Sequence, residues 1–417
     1  MSVRKLVLAA LLGCATPFAA LAEDKPEIEL LHWWDGASAR VVQKMKDKFE
    51  EEGGVWRDTT VAGEGASALT TLRARALAGN PPGAVQLKGP DIQEWGELGV
   101  LRGVDNVAAE ENWNELLPPL LQTIMQHDGK YVAVPVTIHR IDWMYASPKA
   151  LKAVGAEVPT NWDEFNATAE KMAAAGITPV ALGGQKWQEI TMFEAVAFGH
   201  GVEWYQKAFV ELDEEALKAP EMISTLEQIR RMVGWTDSGM PGRDYEATAA
   251  MVVKGDAGFQ FMGDWILGAF DKAGAEQGAD YVCIPTPMSN GEKGFILNAD
   301  SIAFFQVEPK QEIAGQELFA KIGMSKDFQH AFNQAKGSIP PRTDVSLEDF
   351  SDCQKQARTD LDAAVESGTM VKSMAHSMAV NNNIRAGIID AVSEYINSDQ
   401  TPEEGAEAIR LSVELTR

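Results

Sequence analysis

The chain has 417 residues, of which 45% are hydrophobic and 24% are charged. This length is too great for one compact core and predicts two or more lobes, and the ordinary apolar fraction argues against disordered, collagen-like and coiled-coil classes. The formal net charge of −24 argues against binding to nucleic acid or to an anionic membrane surface, because like charges repel.

The first residues predict export. Two basic residues precede a short apolar stretch at 6–12, and Ala20-Leu21-Ala22 offers small residues at a cleavage site. Residues 1–22 are therefore expected to be a signal peptide, since the apolar stretch is too short to span a membrane. A lipoprotein cleavage site with a lipid-modified Cys14 is the alternative, but Leu12 fits such a site poorly. We expect a soluble periplasmic protein.

Strands and helices alternate in the next segment, and the following pieces are predicted in chain order: a strand at 27–33, a helix with Val42, Met45 and Phe49 on one face, a strand near 59–61, a helix at about 67–78 and a strand at 84–87. This β-α-β-α-β order predicts an α/β lobe with a largely parallel sheet.

A similar alternation restarts after a strand at 131–135. Thr160 is expected to cap the helix that follows, with Asp163 completing a capping box. A strand at 258–261 leads into a turn at which Asp264 is expected to be a helix N-cap. A strand near 301–305 and further helices complete the chain. The prediction is an α/β protein of two lobes with more than one crossing between them.

The cysteines predict a disulfide. Cys283 and Cys353 remain after cleavage, and a pair in an oxidising compartment is expected to bridge where the geometry allows it. Such a bridge contributes roughly 4 kcal/mol in the chain-entropy model. Two buried free thiols are the alternative. Neither cysteine has CxxC spacing and the six histidines are dispersed, so neither a metal site nor a cofactor is expected.

Trp33-Trp34 is the most informative pair. It stands where the first strand ends at Asp35-Gly36, and the crevice beyond the carboxyl ends of strands is where ligands bind in open α/β sheets. Two indoles suit a ligand with an apolar face and a polar rim, such as a pyranose ring. Ordinary core packing is the alternative. A later indole, Trp265 at the start of a helix, is placed to close over such a ligand.

Other chemistries are disfavoured. The segment 63–68 fits the dinucleotide pattern GxGxxA, but Glu64 would repel a pyrophosphate, and a tight turn near a small polar ligand is the better interpretation. No GxSxG motif predicts a serine nucleophile. Carboxylates are abundant, but their spacing selects no pair for glycoside hydrolysis.

Several short segments resemble one family when they are taken in order and at their spacing. The chain is similar to periplasmic sugar-binding proteins of ABC transporters, the family 1 extracellular solute-binding group, and within it to the glucose- and mannose-binding branch. The segments that carry the resemblance are Trp33-Trp34, 77–82, 128–135, 159–165, 263–265, 298–300 and 336–340.

The resemblance implies a two-lobed periplasmic-binding-protein fold, each lobe a mostly parallel sheet flanked by helices, with several hinge crossovers. The expected N-terminal lobe holds residues 23–134 and 299–342, and the C-terminal lobe holds 135–298 and 343–417. It also implies a monomer that captures glucose or mannose without catalysis and delivers the sugar to a membrane permease. A secreted glycoside hydrolase is the alternative of another class.

The resemblance also implies the contacts with the sugar. Stacking is expected from Trp33 and Trp34, a further wall from Trp265, and hydrogen bonds from Gln86, Lys88, Asp300, Lys336 and His376. Charge-assisted bonds are the strong ones, and hydroxyls satisfy a buried carboxylate and a buried ammonium together. The alternatives are a helix cap for Lys336, a turn cap for Asp300 and a satisfied histidine for His376.

One departure concerns specificity. Related members carry a glutamate a few residues after the tryptophan pair, where this chain reads Ala37-Ser38-Ala39-Arg40. Ser38 and Arg40 are therefore expected to influence which ligand the protein binds. The change leaves open a substituted glycoside, an acidic sugar with Arg40 as its partner, or an oligosaccharide.

Overall fold

The computed structural model describes residues 25–61 and 65–417. The expected signal peptide at 1–22, Cys14 and the Gly63-Glu64 turn lie outside the described residues.

The strands form two main sheets and one short pair. They are β1 (Glu27–His32), β2 (Val55–Thr60), β3 (Ala84–Leu87), β4 (Gln126–His127), β5 (Lys130–Tyr131), β6 (Ala133–Arg140), β7 (Trp143–Ala146), β8 (Thr178–Val180), β9 (Ala257–Phe261), β10 (Val282–Pro285), β11 (Phe295–Phe304) and β12 (Met370–Lys372).

The helices flank these sheets, and within the described ranges none is long and apolar enough to cross a membrane. They are α1 (Ala39–Glu51), α2 (Gly65–Leu77), α3 (Gly89–Glu97), α4 (Asp105–Glu110), α5 (Trp113–Leu116), α6 (Pro119–Met125), α7 (Pro148–Ala153), α8 (Trp162–Ala174), α9 (Lys186–Phe198), α10 (Val202–Tyr205), α11 (Glu214–Leu217), α12 (Pro220–Gly234), α13 (Tyr245–Lys254), α14 (Ile266–Lys272), α15 (Lys310–Met324), α16 (Lys326–Lys336), α17 (Asp352–Ser367), α18 (Asn382–Ile396) and α19 (Pro402–Thr416), with single turns at Gly36–Ser38, Gln206–Val210 and Met240–Gly242.

The larger sheet contains the first predicted segment. Its order is β12-β11-β3-β1-β2, and β6 also pairs with β11. β1 runs parallel to β2 and β3, and β11 runs parallel to β12 but antiparallel to β3 and β6. The stripe of Val42, Met45 and Phe49 on α1 is buried as predicted, because it faces the core of this sheet.

The smaller sheet corrects the expectation of two mostly parallel sheets. Its order is β10-β7-β9-β8, and β7 is antiparallel to both β10 and β9. Among the described strands of this sheet, β8 and β9 are the parallel pair, and residues 181–256 supply the long crossover that parallel pairing needs. Strands β8 and β9 share a buried apolar cluster with α8, α9, α12 and α18.

Within the described residues the chain crosses between the two halves three times. It passes from β6 to β7, from β10 to β11, and from β12 to α18. The expected boundaries at 134/135 and 298/299 fall inside β6 and β11. β12, expected in the second lobe, instead extends the larger sheet because it pairs in parallel with Phe295–Leu297. The division at the stated boundaries stays a prediction.

Two capping predictions are wrong. Helix α8 is capped by Asn161, whose side chain accepts from the Glu164 amide, and Thr160 stands one position too early. Asp264 does not cap α14, whose N-cap is Trp265. The Asp264 carboxylate is instead taken up by His139 and by the Arg140 amide, which are long-range partners that local sequence does not reveal.

Cys283 and Cys353 form a disulfide, with Cα atoms 6.0 Å apart. Cys283 lies in β10 at the edge of the smaller sheet, and Cys353 lies in α17, which packs on the larger sheet. The bridge therefore joins the two halves of the molecule covalently.

Candidate ligand-binding site

A cavity of about 400 Å³ lies between the two sheets. Its larger-sheet side is formed where strands end, by residues that follow β1 and β3 and by residues of β6 and β11, together with the C-terminal end of α16. Its other side is formed by α9, α13, the turn before α14 and the last crossing. The volume is near the lower end of the range for small-molecule sites.

The structure brings most of the sequence-predicted residues to this cavity. Those that line it are Trp33, Trp34, Ser38, Lys88, Trp265, Asp300, Lys336 and His376. Gln86 and Arg40 do not line it. Both side chains contact other parts of the protein.

Gln86 supports the tryptophan pair from behind. It is fully buried in β3, and its Oε1 accepts a hydrogen bond from the Trp33 amide at 3.2 Å. Its partner is therefore the backbone of the strand end. Its Nε2 has no hydrogen-bond partner among the described residues, and the expected contact of Gln86 with a hydroxyl stays a prediction.

Arg40 reaches across the mouth of the cleft. Its Nη1 lies 2.7 Å from Asp271 Oδ2 on α14, and its Nη2 donates to the carbonyl of Ala335 at the end of α16. The guanidinium therefore joins α1 and α16 to α14, on the opposite side of the cleft. The expected acidic-sugar partner is occupied by this ion pair.

Asp300 is the central acceptor of the cavity. Its Oδ1 lies 2.7 Å from Lys88 Nζ, and its Oδ2 lies 3.2 Å from Trp34 Nε1 and 3.3 Å from His139 Nε2. Burial alone would raise the pKa of Asp300, but the charges of Lys88, His139 and Lys336 hold it well below its usual range. Asp300 is thus an ionised acceptor within β11, not a turn cap.

Lys336 places a second ammonium in the cavity, where its charge acts on Asp300. Its Nζ donates to Ser38 Oγ at 2.7 Å and lies 6.0 Å from the centre of the Trp34 ring. It therefore does not cap its own helix. That helix ends at Gly337, whose φ is +88° and where a Cβ would lie 2.7 Å from the Asp264 carbonyl oxygen. Burial lowers the pKa of Lys336 to about 8.

Aromatic rings wall the cavity. Trp34 is buried and packs edge-on against Phe332, so most of its area is core and its Nε1 is its polar contribution. Trp33 is half-buried, with Lys88 Nζ 5.7 Å from its ring centre. On the opposite side, Trp265 packs edge-on against His139 and His376, with ring centres 5.5 and 5.0 Å apart.

A buried carboxylate holds the segment that carries His376. Glu194 on α9 accepts hydrogen bonds from Ser373 Oγ at 2.7 Å and from the Ala375 amide at 2.9 Å. His376 Nε2 lies 3.0 Å from Thr191 Oγ1 on the same helix. Burial, with the nearby charges of Lys88 and Arg385, holds the pKa of His376 well below its usual range, so the ring is neutral at pH 7.

Sequence reasoning missed several lining residues: His139, Asp91, Asn298, Trp187 and Tyr245. His139 could have been predicted, because ligands bind near the carboxyl ends of strands, but the predicted strand stopped at residue 135 whereas β6 continues to Arg140. Asn298 and Asp300 are two residues apart in β11, so their side chains lie on the same face of the strand. Trp187 and Tyr245 lie in helices and carry no comparable signal.

The cavity has the donors and acceptors that a neutral polyol needs. Lys88 and Lys336 donate, Asp300 accepts, and Asn298 Oδ1 has no hydrogen-bond partner among the described residues. Indoles supply flat apolar surface. Among the same residues, no cluster of His, Cys, Asp and Glu side chains could hold a metal ion.

Comparisons with known proteins agree with this architecture. Residues 44–359 match the family model described as bacterial extracellular solute-binding protein. A protein of Brucella melitensis, named a probable sugar-binding periplasmic protein, is 40% identical over 98% of this chain and 96% of its own length.

Two solved structures are similar in fold. A chitin oligosaccharide binding protein superposes with a TM-score of 0.78 at 20% identity, covering 94% of this chain and 99% of its own. A bacterial solute receptor described as preferring β-D-galactopyranose exclusively superposes with a TM-score of 0.75 at 17% identity, covering 93% and 98%. The two-lobed arrangement of mixed α/β sheets flanked by helices is thus a known fold.

Proposed function

We propose that this chain, which belongs to the family of bacterial extracellular solute-binding proteins, is the sugar-capturing component of an ABC importer in the periplasm. It binds one monosaccharide, glucose or mannose, between its two lobes and passes it to a permease in the inner membrane. It works as a monomer and performs no catalysis. The name carried by the Brucella melitensis relative supports a sugar ligand and the periplasmic compartment.

The observation that carries this proposal is the environment of Asp300. An ionised carboxylate pairs with the Lys88 ammonium and feels the charge of Lys336 in an indole-lined cavity. Vicinal hydroxyls of a pyranose donate to the carboxylate and accept from the lysines, so the buried charges stay paired. Micromolar affinity requires only about 8 kcal/mol of binding free energy, within reach of a few such bonds.

The test is a calorimetric titration of the mature chain, unfolded and refolded first to remove any carried-over ligand. The panel contains glucose, mannose, galactose, xylose, chitobiose and methyl glucosides. We expect one-to-one binding of glucose or mannose at micromolar strength, with the sugar recovered unchanged. Recovery of a hydrolysed glycoside would support the hydrolase alternative. The absence of binding heat for every sugar in the panel would reject the proposal.

A second candidate is a substituted glycoside or an oligosaccharide. The chitin oligosaccharide binding protein of similar fold favours it, as does the Ala37-to-Arg40 departure. In the same titration this candidate predicts heat from chitobiose or a methyl glucoside and none from the free monosaccharides.

Sugar affinity should fall as pH rises through about 8. Lys336 is charged below that pH because its pKa is about 8, and deprotonation removes a charge-assisted donor from the cavity. We expect a progressive loss of affinity above pH 8, measured by titrations at several pH values. Lys336→Arg, which keeps its charge in this range, should not show the loss near pH 8.

The Arg40–Asp271 pair should have a small effect on affinity. It spans the cleft mouth, but its side chains are 31% and 74% exposed, and exposed pairs contribute about 0.2–1 kcal/mol. Arg40→Ala should therefore raise the dissociation constant by at most about fivefold, and less at high salt. Arg57→Ala, which breaks a pair with Glu27 within the larger sheet, should leave the dissociation constant unchanged.

A further inference from the structure

His139 bridges two buried carboxylates that reach it from different elements. Its Nδ1 contacts Asp264 Oδ1 in the turn after β9, and its Nε2 lies 3.3 Å from Asp300 Oδ2 in β11. The side chains are 1%, 2% and 4% exposed, respectively. Water therefore does not replace either carboxylate as a partner of the ring.

This geometry determines the charge of the ring. Each imidazole nitrogen faces an acceptor-only group, whereas a neutral imidazole carries one N–H and one lone pair. A neutral ring would direct its lone pair at one of the two carboxylates. Burial alone would lower the pKa of His139, but Asp264 and Asp300 raise it above its usual value.

The charges around Asp300 give Asp264 its role. Lys88, Lys336 and a cationic His139 surround a single carboxylate, while neutral His376 faces the same cluster. Asp264 accepts the Arg140 amide at 3.0 Å, which fixes its orientation. Burial raises the pKa of Asp264 above its usual value, but its carboxyl group contacts the His139 ring directly and is the second counterion for the cations of the cavity. Asp264 in turn precedes Trp265, whose ring packs against His139.

We propose that Asp264 and His139 are positioning residues for sugar recognition. The imidazolium, held by Asp264, fixes Asp300 Oδ2, so that Asp300 Oδ1 and Lys88 form hydrogen bonds with the sugar hydroxyls. Trp34 Nε1 is the second donor to Oδ2, so two donors fix that oxygen. This inference rests on the proposed function, because it assigns the sugar as the ligand that Asp300 meets.

The first experiment observes the ring directly. In chain labelled with ¹⁵N-histidine, the His139 signals are identified by their loss in His139→Gln. At pH 7.5, where an ordinary histidine is neutral, we expect both ring nitrogens to give protonated shifts. Asp264→Asn should convert the ring to a neutral tautomer. His200 is half-buried and is not among the residues that line the cavity, so His200→Gln should leave the His139 signals unchanged.

The second experiment measures the consequence for binding. Titration with D-glucose and D-mannose should show an affinity about tenfold weaker for Asp264→Asn, the effect of losing one hydrogen bond to a charged group. His200→Gln should bind as the wild type does. Circular dichroism and thermal unfolding establish that Asp264→Asn is folded, and Asp264→Glu, which keeps the charge, should recover part of the affinity.

Two results would overturn the inference: a neutral His139 in the wild type at pH 7.5, or wild-type affinity in a folded Asp264→Asn. A wild-type chain with a cationic His139 that binds no sugar is a different result. It would reject the proposed function, and the positioning role would fall with it.

Discussion

Replacing Asp300 with asparagine should weaken the binding of glucose or mannose by about 100- to 1,000-fold. The substitution keeps the size of the side chain but removes the charge. The carboxylate faces Lys88 at 2.7 Å, His139 at 3.3 Å and the Trp34 indole at 3.2 Å. Without that charge, the ammonium groups lose their counterion and the sugar loses its strongest acceptor.

The size of this effect follows from the number of bonds involved. A hydrogen bond to a charged group contributes about 1.5–3 kcal/mol. Two such bonds depend on the Asp300 charge: the one from a pyranose hydroxyl to Oδ1, and the one from Lys88, which Asp300 holds in place, to a second hydroxyl. An amide accepts through one oxygen only and presents donors where the second oxygen was. The titration used for the wild type measures the change directly.

Asp91→Asn is the matched control. Asp91 also lines the cavity, but its Oδ1 already accepts from Asn382 Nδ2. Burial and the nearby Glu94 raise the pKa of Asp91 to about 7, so much of its charge is absent at neutral pH. We expect less than a tenfold change for this variant. Equal losses from the two substitutions would contradict the central role assigned to Asp300.

The parts of the fold that sequence predicted well are those with local causes. Helix α1 shows the expected buried stripe, and β3 was predicted at its observed bounds because an apolar run stands between a Pro-rich stop and a turn. Trp33-Trp34 was also predicted from a local signal, its position at the end of the first strand. A short apolar segment followed by Asp-Gly is a local signal.

The long central strands were predicted too short. β6 runs from Ala133 to Arg140 and β11 from Phe295 to Phe304, but polar residues such as His139, Asn298 and Asp300 interrupt their apolar pattern. Those residues are buried because they face the cavity or one another. Buried polar side chains of this kind therefore obscure the hydrophobic pattern by which strands are recognised.

Contacts between distant segments were beyond local reasoning. Asp264 stands where an N-cap is expected, yet it binds His139, 125 positions earlier in the chain. Arg40 follows the tryptophan pair, yet it binds Asp271 across the cleft. In both cases the side chain has two chemically reasonable uses, and only the tertiary arrangement decides between them.

Replacing Arg140 with methionine should lower the free energy of unfolding by about 3–5 kcal/mol. The guanidinium is 2% exposed and ends β6 at the first crossing. Its Nε and Nη2 donate to Asp142 Oδ2 at 3.0 and 2.8 Å, and its Nη1 pairs with Asp360 on α17. Asp142, also 2% exposed, would be left as a buried charge without its counterion.

This cluster also connects adjacent crossings. Its removal should therefore lower the free energy of unfolding by more than the removal of an ordinary ion pair. Arg140 Nη2 donates to the Gly294 carbonyl at 3.2 Å, and Asp142 Oδ1 accepts from the Ile296 amide at 2.8 Å. Both contacts join the β6–β7 crossing to the start of β11. Removing the guanidinium therefore unpairs groups on two segments at once.

Urea unfolding of the two arginine variants separates this explanation from a general effect of the substitution. Arg57→Met removes a guanidinium from an exposed pair with Glu27 and should cost at most about 1 kcal/mol. Adding Asp142→Asn to Arg140→Met should restore part of the lost stability, because the stranded charge is then gone. If the double variant were as unstable as the sum of its single changes, the cost would come from packing rather than from the unpaired carboxylate.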